Sequence, residues 1–238
     1  MNLQELLSQI KPLDQKAMEQ CQRLWDSIAK PLHSLGKMEY FLVKIAGIDE
    51  DAGIDLAKKA LIVMCADNGV VEEGVTQTGQ EVTAIVSENF LDKKASASLL
   101  CSMTGADIYP VDIGIASDTR IINRKIAYGT KNMTKGPAMT REEAERAVLV
   151  GIDLVRELKE QGYRIIATGE MGIGNTTTSS AIVSVFLNRQ AEEVTGRGAG
   201  LSTEGLNRKI HAIKRAIALN HPDPKDGIDT LAKVGGLD

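Results

Sequence analysis

The run Gly169-Glu170-Met171-Gly172-Ile173-Gly174-Asn175-Thr176-Thr177-Thr178-Ser179-Ser180 gathers the residue types that hold an anion. Ahead of it, residues 163–168 are apolar and partly β-branched, the pattern of a buried parallel strand. Behind it, residues 181–187 continue as a helix. The glycines therefore fall between a strand end and a helix start. Glycine lets the backbone approach a ligand closely, and the first helical turn offers unpaired amides at the positive end of the dipole. Thr176, Thr177 and Thr178 add hydroxyl donors. The spacing is neither G-x-x-x-x-G-K-[ST] nor G-x-G-x-x-G. A tight strand-to-helix turn with good N-caps uses the same residues, so composition leaves a structural turn and a phosphate cradle level.

The rest of the chain must position that run. Its 238 residues suit one large α/β domain, or one domain plus a small appendage. Apolar residues make up 43% but aromatics only 3%, so the core must be built from Ile, Leu, Val, Ala and Met. A net charge of −4 gives no basic footprint for nucleic acid, and an anion must be met by local donors. Cys21, Cys65 and Cys101 form no C-x-x-C pair, which points to a reducing, cytoplasmic compartment. His33, His211 and His221 form no ligand cluster, so no metal is expected. Neither a signal peptide nor a membrane span is expected.

In chain order, residues 2–30 read as two helices, with Pro12 in a first turn and Leu13, Ala17, Cys21, Leu24 and Ile28 on one stripe. A third helix runs through Met38, Phe41, Leu42, Ile45 and Ala46 and stops near Gly47. This helical start is either an appendage or dimerisation element, or a cap on the sheet. Residues 60–66 are a strand buried on both faces, ending at the turn Asp67-Asn68-Gly69. Ligands of open parallel sheets bind beyond such strand ends, which places Asp67 as a site residue or as a turn cap. Helices are predicted over 81–91 and 94–104, and a strand over 108–114 that starts at Pro110. Asp112 falls near its end. The polar stretch 117–139 has no period and suggests a functional loop. Thr140 and Glu143 predict a capping box for a helix with Ala144, Ala147, Val148, Gly151, Leu154, Val155 and Leu158 on one face. Gly196, Gly198 and Gly200 make a second glycine-rich turn. Ser202 caps a helix that carries Lys209. A last helix spans 225–234, and Gly235-Gly236-Leu237-Asp238 reads as the entry to a further element.

Several of these segments, in this order, resemble the nicotinate-nucleotide–dimethylbenzimidazole phosphoribosyltransferases, the CobT family. The likeness is carried by Ser34-Leu35-Gly36-Lys37-Met38-Glu39, Ala66-Asp67-Asn68-Gly69-Val70, Gly74-Val75 with Gln80-Glu81-Val82-Thr83, and Val111-Asp112-Ile113-Gly114. It continues through Gly129-Thr130-Lys131-Asn132-Met133, Gly136-Pro137-Ala138-Met139-Thr140, the run from Gly169 to Thr177, and Gly196-Arg197-Gly198. The resemblance implies an α/β fold, a Rossmann-like parallel sheet with helices on both faces plus a small N-terminal helical domain. Residues 1–50 would be the N-terminal part of that small domain. Residues 51–238 would be the nucleotide-binding domain, with its C-terminal part missing. A homodimer without a cofactor is implied, in cobalamin nucleotide-loop assembly.

By the same resemblance, Gly172, Gly174, Asn175, Thr176, Thr177, Thr178, Gly198 and Lys209 hold the phosphate and ribose of nicotinate mononucleotide. Glu170 lies near the ribose as a catalytic carboxylate, and Asp67 and Gln80 face the base pocket for dimethylbenzimidazole. The family commonly has Asp-His-Gly at Asp67-Asn68-Gly69. Its general-base glutamate lies in a later Gly-Glu-Gly-Thr-Gly-Ala segment that the chain does not contain. The alternative expectation is a truncated, non-catalytic mononucleotide-binding fragment. A NAD-dependent oxidoreductase is disfavoured because no G-x-G-x-x-G follows the first strand.

Overall fold

The computed structural model describes residues 3–238 and divides into two units, Met1–Ala57 and Lys58–Asp238. The first contains α1 (Leu3–Leu7), α2 (Gln15–Ser27) and α3 (Lys37–Asp49). Asp14 caps α2 by accepting the Ala17 N–H at 2.7 Å, so Pro12 lies before the helix and not in its first turn. Ala17 and Cys21 of the anticipated stripe turn inward, and Cys21 packs with Val43 and Ala46; Leu24 and Ile28 stay exposed. Gly47 does not stop α3. A Cβ there would lie 2.7 Å from Met18 Cγ, so glycine is what lets α2 and α3 close together.

The second unit runs β1 (Lys59–Ala66), α4 (Glu81–Leu91), α5 (Ser96–Thr104), β2 (Ala106–Gly114), β3 (Ile122–Asn123), α6 (Arg141–Glu160), β4 (Ile165–Met171), α7 (Asn175–Phe186), α8 (Ala191–Val194), α9 (Thr203–Asn220) and α10 (Gly227–Val234). The strands form one parallel sheet in the order β3-β2-β1-β4. β1 is apolar from Ala60 to Ala66 because both of its faces are covered. Ala60 and Ile62 pack with Leu154 and Leu158 of α6, while Val63 and Cys65 pack with Phe90 of α4. Burying Ile62, Val63, Phe90, Leu154 and Leu158 contributes about 1.5–3 kcal/mol each. The largest apolar cluster lies around α7, α9 and α10, with Ala181, Ile213, Ala216 and Val234 at its centre.

Several expectations change. β4 is not buried: it pairs only with β1 and forms a sheet edge, with Ala167, Thr168 and Glu170 exposed. β2 starts at Ala106, not at Pro110. Pro110 is tolerated because β3 pairs only with Val111 and Asp112, so no bond on that side is lost at residue 110. Val155 is 43% exposed and drops off the buried face of α6. α8 carries no sequence signal of its own. Residues 235–238 leave α10 extended and run into the core.

The capping box of α6 is present. Glu143 donates its N–H to Thr140 Oγ1 at 3.1 Å, and Thr140 N–H reaches Glu143 Oε2 at 2.8 Å. Thr140→Ala is expected to cost about 1 kcal/mol, read as a lowered urea midpoint at unchanged slope.

Candidate active site

The glycine-rich run folds as its residues demand. β4 carries the chain to Met171. Gly174 then adopts φ +99°, a left-handed conformation that non-glycine residues rarely take, and becomes the N-cap of α7. Ile173 donates its N–H to Thr83 Oγ1 at 3.0 Å, which ties the turn to α4. Asn175 and Thr176, at the start of α7, line a cavity of about 200 Å³ at the positive end of the helix. Its walls are Gly172 to Thr176 on one side, Val75 to Thr78 on another, and the Arg197 to Leu201 turn opposite.

The second glycine-rich turn completes the cavity from α9. Lys209 is only 1% exposed, and its Nζ donates to Thr176 Oγ1 at 2.7 Å and to the Gly196 carbonyl at 3.2 Å. Among the described residues no carboxylate pairs with it, and burial holds its ammonium pKa below the usual lysine value. Gly198, at φ +55°, leaves the space in which these groups meet: a Cβ there would lie 2.9 Å from Thr176 Oγ1 and 3.6 Å from Lys209 Nζ. A buried ammonium without a counter-charge, beside hydroxyl and amide donors, is built to receive an anion.

Of the three threonines, only Thr176 lines the cavity. Thr178 donates its hydroxyl back to the Asn175 carbonyl at 2.9 Å, and Thr177 is fully buried. The helical turn decides this, because successive residues point 100° apart and only one of three can face the ligand. Asn175 donates through Nδ2 to Glu170 Oε2. Glu170 is open to solvent on one side. Partial burial on the other raises its carboxyl pKa, opposed by the Asn175 hydrogen bond.

Asp67 is buried at the carboxyl end of β1 and accepts the Ala116 N–H at 2.8 Å, with the Thr83 hydroxyl also close enough to stabilise its charge. Burial raises its pKa, with the Ala116 bond acting against this. Gln80 is held one step away, donating to the Asn68 carbonyl at 3.1 Å. Two cations without a role assigned from the sequence hold the surrounding loops. Lys125, 3.1 Å from buried Asp112, also donates to the carbonyls of Ile115 and Ser117, and so pins the loop that supplies Asp67 with its donor. Arg197 donates to the Leu201 carbonyl at 2.8 Å and to Thr203 Oγ1 at 3.2 Å, closing the glycine-rich turn on itself. Arg197 stood within a motif, whereas Lys125 had no signal at all.

The period-free stretch 117–139 clamps the turn after β1. Thr130 Oγ1 accepts the Gly69 N–H at 3.1 Å, and Asn132 donates to Glu72 and Glu73 at 3.2 and 2.7 Å. A wider hollow of about 550 Å³ elsewhere includes Arg189 and Lys214, but these already face Glu193 and Glu192 and leave no unspent charge. Asp26, His33 and Glu39 come within metal-ligand reach of one another, yet the Lys30 ammonium, 2.9 Å from Glu39 Oε1, supplies the cation there.

This geometry can be set beside known proteins. The family described as Phosphoribosyltransferase matches residues 10–238. A nicotinate-nucleotide–dimethylbenzimidazole phosphoribosyltransferase from Acetivibrio thermocellus is 49% identical over 237 residues, 98% of this chain and 68% of its own. The chain belongs to the nicotinate-nucleotide–dimethylbenzimidazole phosphoribosyltransferase family. The relative of that name from Clostridium tetani is 45% identical over 99% of this chain and 66% of its own. A crystal structure of the phosphoribosyltransferase from Thermus thermophilus superposes with a TM-score of 0.85 at 36% identity, covering 94% of this chain and 68% of that one. The chain thus spans about two thirds of the length of these phosphoribosyltransferases. They are transferases by name, and the α/β sheet flanked by helices is theirs. Among the described residues no helix is long and apolar enough to cross a membrane.

Proposed function

We propose that the chain binds nicotinate mononucleotide and takes part in transferring its phosphoribosyl group to 5,6-dimethylbenzimidazole, giving α-ribazole 5′-phosphate and nicotinate. The observation that carries this is Lys209: a buried ammonium without a carboxylate partner among the described residues, bonded to Thr176, which lines the cavity at the start of α7. A phosphomonoester there meets the positive charge and the positive end of the helix. Holding the phosphate uses binding energy remote from the reaction to fix the anomeric carbon. The pyridinium nitrogen of the donor is already cationic, so nicotinate leaves without being protonated. The incoming benzimidazole must lose its N–H proton to a carboxylate as the new C–N bond forms. Glu170, at the strand end beside the phosphate turn, stabilises positive charge developing on the ribose. Asp67 and Gln80 face the base. The reading includes a homodimer in the cytoplasm, supported by the family resemblance and by three unpaired cysteines.

Calorimetric titration of nicotinate mononucleotide, followed by assay of product with dimethylbenzimidazole, tests the proposal. Binding with product supports transfer, binding without product supports a mononucleotide-binding fragment, and no binding ends the reading. Where turnover is seen, Glu170→Gln is expected to lower kcat on the order of 100-fold while leaving mononucleotide affinity within about threefold. An unchanged kcat would remove Glu170 from the chemistry.

A further inference from the structure

The segment after α10 ends against the underside of the phosphate turn. Leu237, 5% exposed, fills the space left by Gly114, where a Cβ would lie 2.5 Å from Leu237 Cδ1. That anchor delivers Asp238 to a slot made by two further glycines. A Cβ on Gly172 would fall 1.9 Å from Asp238 Oδ2, and one on Gly236 would fall 2.3 Å from Oδ1. Asn68, fully buried, closes the slot and donates through Nδ2 to the two Asp238 oxygens at 3.2 and 3.4 Å. Asn68 also supports the other end of the turn, because a Cβ on Gly174 would lie 3.1 Å from the Asn68 Cβ.

The pair is incomplete as long as the carboxyl is ionised. Asn68 Oδ1 is a buried acceptor with no partner among the described residues, and it also borders Gly236, 2.6 Å from where a Cβ would sit. A carboxylate has no proton to give it, whereas a carboxylic acid does. We propose that Asp238 is a positioning residue that works protonated, paired with Asn68 in both directions, and that this neutral pair sets the Gly172–Gly174 turn to receive an anion. The proposal rests on the reading that this turn binds phosphate.

The surroundings favour the neutral form. Burial pushes the Asp238 carboxyl up to about 7 against the pull of its own main-chain N–H and of Asn68, and the negative charges of Glu170 from β4 and Asp67 from the end of β1 add to the rise. The neighbouring Cys65 thiol is held neutral by burial, and the Ala66 carbonyl and the flanking glycines carry no charge. Above neutrality an ionised Asp238 lies in contact with Gly172 and repels a phosphate on the far side of that turn.

The test compares the wild-type protein with Asp238→Asn, whose amide stays neutral and can serve the Asn68 carbonyl. Dissociation constants for nicotinate mononucleotide are measured from pH 5.5 to 8.5. The phosphate's own ionisation affects both proteins alike, so the ratio of the two constants isolates Asp238. Wild-type affinity is expected to fall roughly three- to thirtyfold relative to the variant as pH rises through about 7. A flat ratio would overturn the proposal. Carbon-13 carboxyl NMR of the wild-type protein needs no variant that folds. A resonance assigned to Asp238, and not to Asp67 whose burial also raises it, that titrates near neutrality and moves higher on addition of inorganic phosphate supports the pair. If the Asp238 resonance titrates in the usual acidic range, the pair does not exist. Absence of mononucleotide binding at every pH counts instead against the phosphate reading, and the NMR titration still decides the protonation of Asp238.

Discussion

Lys209→Met should weaken nicotinate mononucleotide binding about 100-fold while leaving the protein as stable as before to within about 1 kcal/mol. Methionine keeps the length of the side chain and removes its charge. What the ligand loses is a charge-assisted hydrogen bond from a buried ammonium, worth about 1.5–3 kcal/mol. What the fold loses is smaller. The two bonds from Nζ to Thr176 and Gly196 disappear, but so does the cost of keeping an ammonium buried without a counter-charge, the cost that depresses its pKa. The two terms oppose each other in stability and act together in binding. Calorimetric titration and urea unfolding on the same preparations separate them. Where turnover can be followed, KM for the nucleotide should rise far more than KM for the base; the reverse order would place Lys209 away from the phosphate.

The largest loss of stability is expected at Gly69→Ala, about 3 kcal/mol or more. A Cβ at that position would lie 2.5 Å from both the Lys131 carbonyl carbon and the Thr130 oxygen, and 2.7 Å from the Asn132 nitrogen. All three are backbone atoms, so no flexible side chain can swing aside, and overpacking against a fixed chain is among the costliest single changes. The clamp of 129–139 on the turn after β1 would open, and Asp67 and Asn68 with it. Gly151→Ala is the matched control. Gly151 lies within α6 with nothing within 4 Å of a new Cβ, so alanine there should stabilise the protein by about 0.5–1 kcal/mol through helix propensity alone. Urea midpoints for the two variants should therefore move in opposite directions. A Gly69→Ala protein as stable as wild type would mean that the loop does not press on the turn.

The sequence by itself determined the local elements and where the site is. β1 is a run of apolar residues with turn residues behind it, and it could only be a strand covered on both faces. Thr140 and Glu143 wrote their own capping box. The Gly172–Gly174 run had to turn between a strand and a helix, because no other backbone reaches φ +99° at so little cost. These features depend on neighbours a few residues apart, and periodicity and backbone conformation suffice to read them.

Tertiary structure decided which of the marked side chains face the cavity and what holds them. Three threonines were equivalent in sequence, yet the phase of α7 aims Thr176 at the cavity and turns Thr177 and Thr178 away. The family resemblance marked Lys209, but only the fold shows that it is buried and, among the described residues, paired with no carboxylate. Lys125 and Asp238 carried no local signal, because each acts on residues distant in the chain: the loop that serves Asp67, and the glycine turn 66 residues before Asp238. Charge pairing and close packing depend on which distant groups arrive at the same place, and no pattern along the chain encodes that.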